Sequence, residues 1–271
     1  MERVVITGMG VVSPIGNDIK TFWNNLIKGE SGIVNIDTFD VTNHKTKIAG
    51  FVQDFDADEV LGKKEARRLD RFSQFALAAA EQAWSDSKLD LDRIDVERLG
   101  VYVGSGIGGI ETLIENVDAL RQKGPRRVSP TLVPAIMSNA AAAQISIKWN
   151  AMGPSMSPVS ACAIGNTSIG EAFRLIRSGE ADVIFAGGTE SAITDLSIAS
   201  FGNATALSTR NDNPTKASRP FDENRDGFVM SEGAGILILE SLSHALHREA
   251  KIYAEVIGYG ASSDAYHIVA T

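Results

Sequence analysis

The strongest constraint on this chain is a recurring run of β-branched residues closed by glycines. It occurs as "ERVVITGMG", "RLGVYVGSGIGG" and "ADVIFAGGTES". Apolar residues fill consecutive positions in these runs, so both faces of each strand need cover, as in a sheet buried between two layers. The intervening stretches carry apolar residues at helical spacing: "DIKTFWNNLIKG", ended by Gly29, a long pattern from Lys63 to Trp84, "IETLIENVDALRQKG", and "PTLVPAIMSNAAAAQISIKWN". "GFVMSEGAGILILES" and "AKIYAEVIGYG" are further strand candidates, separated by the helix-like "LSHALHRE". Strands alternating with helices predict an α/β layered fold around a mostly buried sheet. The polar, turn-rich "STRNDNPTKASRPFDENRDG" reads as a long loop.

Composition excludes several function classes. A formal charge of −8 argues against nucleic acid as a partner, because phosphate backbones are bound through clustered Lys and Arg. No apolar run reaches the roughly 20 residues needed for a bilayer span, and the apolar start is broken by Gly8, Gly10 and Pro14, unlike a signal peptide. The expectation is no membrane insertion. With Cys162 as the single cysteine, neither a disulfide within the chain nor a paired-cysteine metal site can form, and a reducing cytoplasm is the expected location.

Gly104, Gly106 and Gly109 fit G-x-G-x-x-G between a strand and a helix, the setting of a dinucleotide-binding turn. That fingerprint also needs a second strand and a ribose-binding acid about 20 residues on. Here the helix runs into "KGPRRVSPTLVP", which has neither. No cofactor is therefore expected, and the glycines read as a tight turn with close helix and sheet contacts.

Cys162 lies in "PVSACAIGNTSIGEAFRLI", where a strand-like stretch runs into a helix with Ile169, Phe173 and Ile176 as its apolar stripe. A lone cysteine is often only a small buried hydrophobe. Its neighbours Ser160, Ala161, Ala163 and Gly165 are too small to hide it, however, and the start of a helix offers unpaired N–H groups that favour an anion. An ordinary thiol is only about 3% ionised at neutral pH, so such a position suits a nucleophile. Both readings, filler and nucleophile, stay open on these grounds.

The residues "SACAIG", "FGNATALSTRNDNP" and "SRPFDENRDGFVMSEGAG" resemble the signatures of type II β-ketoacyl-acyl-carrier-protein synthases, the elongating condensing enzymes of fatty acid synthesis. The likeness runs from "VVITGMGVVSPIGN" to "SSDAYH". It implies a thiolase-like layered fold, a mixed sheet with helices on both faces, of which residues 1–250 would form the N-terminal half and 251–271 the first strand of a second half. It implies that Cys162 accepts an acyl group from acyl carrier protein, that a malonyl carrier then condenses with it after losing carbon dioxide, and that the full-length protein is a homodimer. Ile107 and Phe201 match positions near the acyl pocket. Lys64, Arg67, Arg68, Arg126 and Arg127 match the basic surface that meets the acidic carrier. Lys64, Arg67, Arg68 and Arg71 also follow i, i+3, i+4, i+7 spacing, which would place them on one helix face.

The same resemblance requires two catalytic histidines, one in a G-T-x-T type motif and one in a G-H motif, and neither string occurs here. His44 sits in a polar loop, while His244 and His247 lie one turn apart with no third metal ligand in view, so no metal is expected. His267 matches a family histidine outside the catalytic pair, and Val269 stands where threonine is common. The expectation is a fragment of a longer synthase, inactive in condensation by itself. The alternative is a non-catalytic subunit or truncated paralogue that binds acyl carrier protein or a full-length synthase.

Overall fold

Residues 1–266 are described by a computed structural model built on a six-stranded mixed sheet. In chain order the strands are β1 (Val4–Val12), β2 (Ile33–Asn35), β3 (Ile48–Gly50), β4 (Leu99–Gly104), β5 (Ser155–Met156), β6 (Val183–Glu190), β7 (Gly233–Ser241) and β8 (Ala254–Val256). The main sheet runs β5-β4-β6-β7-β1-β8; β5, β4 and β6 are parallel, and β7, β1 and β8 add antiparallel. β2 and β3 form a separate antiparallel pair. The helices are α1 (Ile19–Lys28), α2 (Ala57–Leu61), α3 (Lys63–Ala66), α4 (Arg71–Ser87), α5 (Ile110–Lys123), α6 (Leu132–Ile136), α7 (Ala140–Lys148), α8 (Ile164–Ser178), α9 (Asp195–Asn203) and α10 (Leu242–His247).

Every residue of β4 is buried, and its side chains divide between two cores. Val101 and Val103, with Phe185 of β6 and Ile238 of β7, meet Phe75 and Ala79 of α4, Ile145 of α7 and Trp149 just after it. Tyr102, Ile184 and Leu239 meet Ala172, Phe173 and Ile176 of α8 on the other face. This period-two division, on strands with no polar face, is what the glycine-closed apolar runs predict. Burying a side chain of this size contributes about 1.5–3 kcal/mol, and the helices on both faces supply the cover.

Three sequence expectations need correction. The pattern from Lys63 to Trp84 is not one helix, because buried Asp70 adopts extended backbone (φ −67°, ψ 153°) and caps α4, accepting from the Phe72 amide at 3.2 Å. The expected basic stripe is therefore divided: Arg71 turns inward and grips buried Glu232 with Nε at 3.1 and 3.2 Å and Nη2 at 2.8 Å. The alanine-rich segment forms two helices, α6 and α7, separated by extended backbone at Met137. The strand before Cys162 is only β5, which ends at Met156.

β8, the strand expected to open a second half, pairs with β1 and forms the edge of this same sheet. His267 and Val269 lie outside the described residues. Among the described residues no helix is long and apolar enough to cross a membrane.

A charged cluster locks the antiparallel side of the sheet. Glu240 of β7 is wholly buried; its carboxylate accepts from the Thr7 hydroxyl of β1 at 2.7 Å and from Arg248 Nε and Nη2, each at 2.7 Å, and it pairs with His244 Nδ1. Arg248 Nη1 also donates to the Ser87 carbonyl that ends α4, at 2.8 Å. Burial pushes the Glu240 carboxyl up, but Arg248, His244 and Thr7 outweigh it and hold the group below the usual carboxylate range.

Candidate active site

The parallel strands β4 and β6 end side by side, Gly104 opposite Gly188. Open α/β sheets characteristically place their chemistry at this end. The turn leaving β4 and the turn entering α8 converge there. Residues Ala161–Ala163 form one 3-10 turn that continues directly into α8, so Cys162 stands at the helix entrance and is exposed. A Cβ on Gly104 would lie 2.3 Å from Ile164 Cδ1 and 2.8 Å from the Pro158 carbonyl, so glycine is what lets the first turn of α8 sit down on the strand end. Ala161 holds φ +48°, a left-handed conformation that costs a non-glycine residue about 1–2 kcal/mol. Backbone strain compensated by the surrounding packing is characteristic of functional turns.

Cys162 opens on a mostly apolar cavity of about 770 Å³ that is also bordered by Ile107, Phe201, Phe228 and Met230. Phe201, on α9, packs edge-on against Phe228 with centroids 5.4 Å apart. The structure thus brings together Cys162, Ile107 and Phe201, from three segments distant in sequence.

The glycine turn after β4 is accounted for by contacts. Gly104 admits Ile164, a Cβ on Gly106 would lie 3.1 Å from Glu190 Oε2, and one on Gly109 would lie 2.7 Å from the Ala135 carbonyl. The Gly106 and Ile107 amides donate to the Glu190 carboxylate, at 2.9 and 3.1 Å. A phosphate needs those same amides and would meet a like charge there, which separates this turn from a dinucleotide-binding one.

Two acids absent from the sequence reading border the cavity, Glu190 and Glu232. Burial pushes the Glu190 carboxyl above the ordinary carboxylate range, against the opposing pull of Ser105, Gly106 and Ile107. Glu232 also accepts from the Val52 amide at 3.0 Å and the Ser191 hydroxyl at 2.9 Å. The available signal for Glu190 is an acid two residues after the paired glycines of a buried strand, in "GGTES".

The basic residues are dispersed over two surface segments. Lys64, Arg67 and Arg68 are exposed on α3 and the turn after it, and Arg126 and Arg127 are exposed in the 3-10 turn that follows α5. None of the five forms an ion pair among the described residues. Leu61, Lys64, Arg68 and Gln144 border a separate surface groove of about 550 Å³. His44 rests near Phe39, His244 is bound to Glu240, and His247 is exposed; none of the three borders the Cys162 cavity. No cluster of three metal-ligating side chains occurs among the described residues.

A family profile described as "Beta-ketoacyl synthase, N-terminal domain" matches residues 1–245. The chain is 51% identical over 269 residues to a protein named 3-oxoacyl-[acyl-carrier-protein] synthase 2 from Staphylococcus aureus (strain COL), an alignment covering 99% of this chain and 65% of that protein. A protein of the same name from Vibrio cholerae serotype O1 is 51% identical over 267 residues, covering 98% and 64%. A solved beta-ketoacyl synthase from Burkholderia phymatum STM815 superposes with a TM-score of 0.90 at 33% identity, over 99% of this chain and 66% of that one. A chain of a solved structure described as a type II PKS acyl-carrier protein in complex with its ketosynthase bound to the hexaketide matches with a TM-score of 0.88 at 35% identity, over 98% of this chain and 64% of that one. The chain spans about 65% of the length of these curated relatives. The fold is the thiolase-like α/β arrangement of ketosynthases, seen here in its N-terminal half. With a profile match across nearly its whole length and a sheet that superposes on those of ketosynthases, the chain belongs to the beta-ketoacyl synthase family.

Proposed function

We propose that Cys162 is the acyl-accepting nucleophile of a 3-oxoacyl-acyl-carrier-protein synthase of fatty acid biosynthesis. The observation that carries this reading is the placement of the chain's single cysteine, exposed at the entrance of α8 and opening on an apolar cavity. The Cys162 sulfur attacks the thioester carbonyl of an acyl carrier protein, the carbonyl–sulfur bond of the donor breaks, and the carrier thiol leaves with the proton that Cys162 gives up. The acyl chain then lies against Ile107 and Phe201. Condensation with a malonyl carrier, which releases carbon dioxide and frees the Cys162 sulfur, uses two histidines that have no counterpart in these 271 residues. Acyl transfer is the half-reaction that the residues present here would carry.

The exposed Lys64, Arg67, Arg68, Arg126 and Arg127 form the docking surface for the acidic carrier, cations without an ion-pair partner among the described residues in a chain of net charge −8. A cytoplasmic, homodimeric full-length enzyme with no cofactor or metal completes the reading. A second reading is a non-catalytic subunit that binds carrier or synthase. Incubation with an acyl-acyl carrier protein followed by intact-mass measurement decides between the two. One acyl increment on the wild-type chain and none on Cys162→Ala supports acyl transfer, whereas carrier binding without an increment supports the subunit.

A further inference from the structure

We propose that Glu190 is a positioning residue that sets which acyl chain lengths the cavity accepts, a reading that rests on the assignment of Cys162 and Ile107 above. Glu190 closes β6, and its carboxylate reaches across to the turn that leaves β4. Oε1 accepts from the Ser105 hydroxyl at 2.9 Å, and Oε2 accepts from the amides of Gly106 at 2.9 Å and Ile107 at 3.1 Å. The Ser105 oxygen in turn accepts from the Gly108 amide at 2.8 Å. One carboxylate thus fixes four consecutive residues, directly or through a single hydroxyl.

The fixed turn carries the cavity wall. Ile107 borders the space that holds Cys162 and is 44% exposed, while Gly106 is seated toward Ala161, the residue before the nucleophile. A branched side chain keeps its place only if its backbone does, and the Ile107 backbone is held by the Glu190 oxygen. A carboxylate out of water destabilises its surroundings unless donors compensate it. Here the donors belong to the turn, so removing the acid frees the turn along with the strand end. Glu190 acts through Ile107 and not on the reacting atoms.

The test uses the 271-residue chain and N-alkylmaleimides from methyl to dodecyl, which report on Cys162 alone because it is the only thiol. Glu190→Ala is expected to leave the N-methylmaleimide rate within about twofold and to flatten the dependence on chain length by about tenfold, the effect of losing hydrogen bonds to a charged group. Glu190→Gln keeps an acceptor oxygen for the two amides and is expected to change that dependence by less than about threefold. Ser105→Ala, the variant to use if Glu190→Ala does not fold, flattens it in the same direction. In the wild-type chain the Gly106 and Ile107 amides are expected to exchange with deuterium at least about tenfold more slowly than unprotected amides. An unchanged length dependence in folded Glu190→Ala, or in Ser105→Ala where the first does not fold, overturns the proposal, as does an unprotected Ile107 amide. A normal maleimide pattern with no acyl transfer from carrier thioesters would refute the assignment of function and leave this one standing.

Discussion

Arg248→Met would remove the cation that faces Glu240 and leave the carboxylate buried. The Glu240 side chain is wholly out of solvent and that of Arg248 is 13% exposed, so solvent does not screen this pair as it does a surface pair. Removing one partner of a buried pair costs about 3–5 kcal/mol. Methionine preserves most of the packing of the arginine stem, and the Thr7 hydroxyl and His244 ring still face the carboxylate, which puts the expected loss near the lower end, about 3 kcal/mol. The pH dependence supplies the sharper check. In the wild type the Glu240 carboxyl lies below its ordinary value, so its contribution is present above the ordinary carboxylate range and is lost as pH falls from there through the lower folded value. Without Arg248, burial works against a weaker opposition and the carboxyl moves up. The folded variant then takes up a proton more readily than the unfolded chain, and its deficit narrows as pH falls from about 7 to about 5. Urea unfolding followed by fluorescence of Trp84 and Trp149 measures both quantities. A loss under about 1 kcal/mol, or a deficit that is the same at both pH values, would refute the reasoning. The double variant Glu240→Gln/Arg248→Met, which buries no charge, should recover most of the loss.

Other expected outcomes concern the site and its supports. Gly104→Ala forces a methyl group against Ile164 and the Pro158 carbonyl and should cost about 1–3 kcal/mol in urea unfolding; it should also slow iodoacetamide labelling of Cys162, since the displaced turn carries the thiol. Normal stability together with normal labelling would sink that account. Phe185→Ala empties the centre of an aromatic cluster, where Trp84 stacks at 5.7 Å and Trp149 lies at 5.0 Å, and should cost about 3–5 kcal/mol with a red shift of tryptophan emission. Arg126→Glu should leave the melting temperature unchanged while weakening anisotropy-measured binding of acyl carrier protein and reducing its sensitivity to salt. Binding as tight as the wild type would remove Arg126 from the docking surface.

The sheet was the legible part of the fold. Strands β1, β4, β6 and β7 announce themselves because strands covered on both faces need no polar alternation, and glycines close them where helices approach. The break between α3 and α4 was hidden because apolar spacing continued through it, and only the burial of the Asp70 carboxylate shows that this acid caps a helix. The short β2–β3 pair and α9 went unread, being three residues per strand and a helix with little contrast between its faces. Cys162, Ile107 and Phe201 could be named from sequence, although their sharing of one cavity is a product of the crossovers between β4, α8 and α9. Glu190 was missed because two of its three donors are backbone amides, which no residue spacing encodes.

The antiparallel side of the sheet also sets an order of assembly during synthesis. Thr7 of β1 bonds to Glu240 of β7, 233 residues away in sequence. At about 5–20 residues per second, β1 waits on the order of 10 to 50 seconds on the ribosome before that partner emerges. The parallel pair β4–β6 and α8 are complete well before then, so the platform beneath Cys162 can form while β1 still lacks its β7 partner. An apolar strand left unpaired for that interval is a natural client for a chaperone, and the demand for one should rise when translation slows between residues 190 and 241.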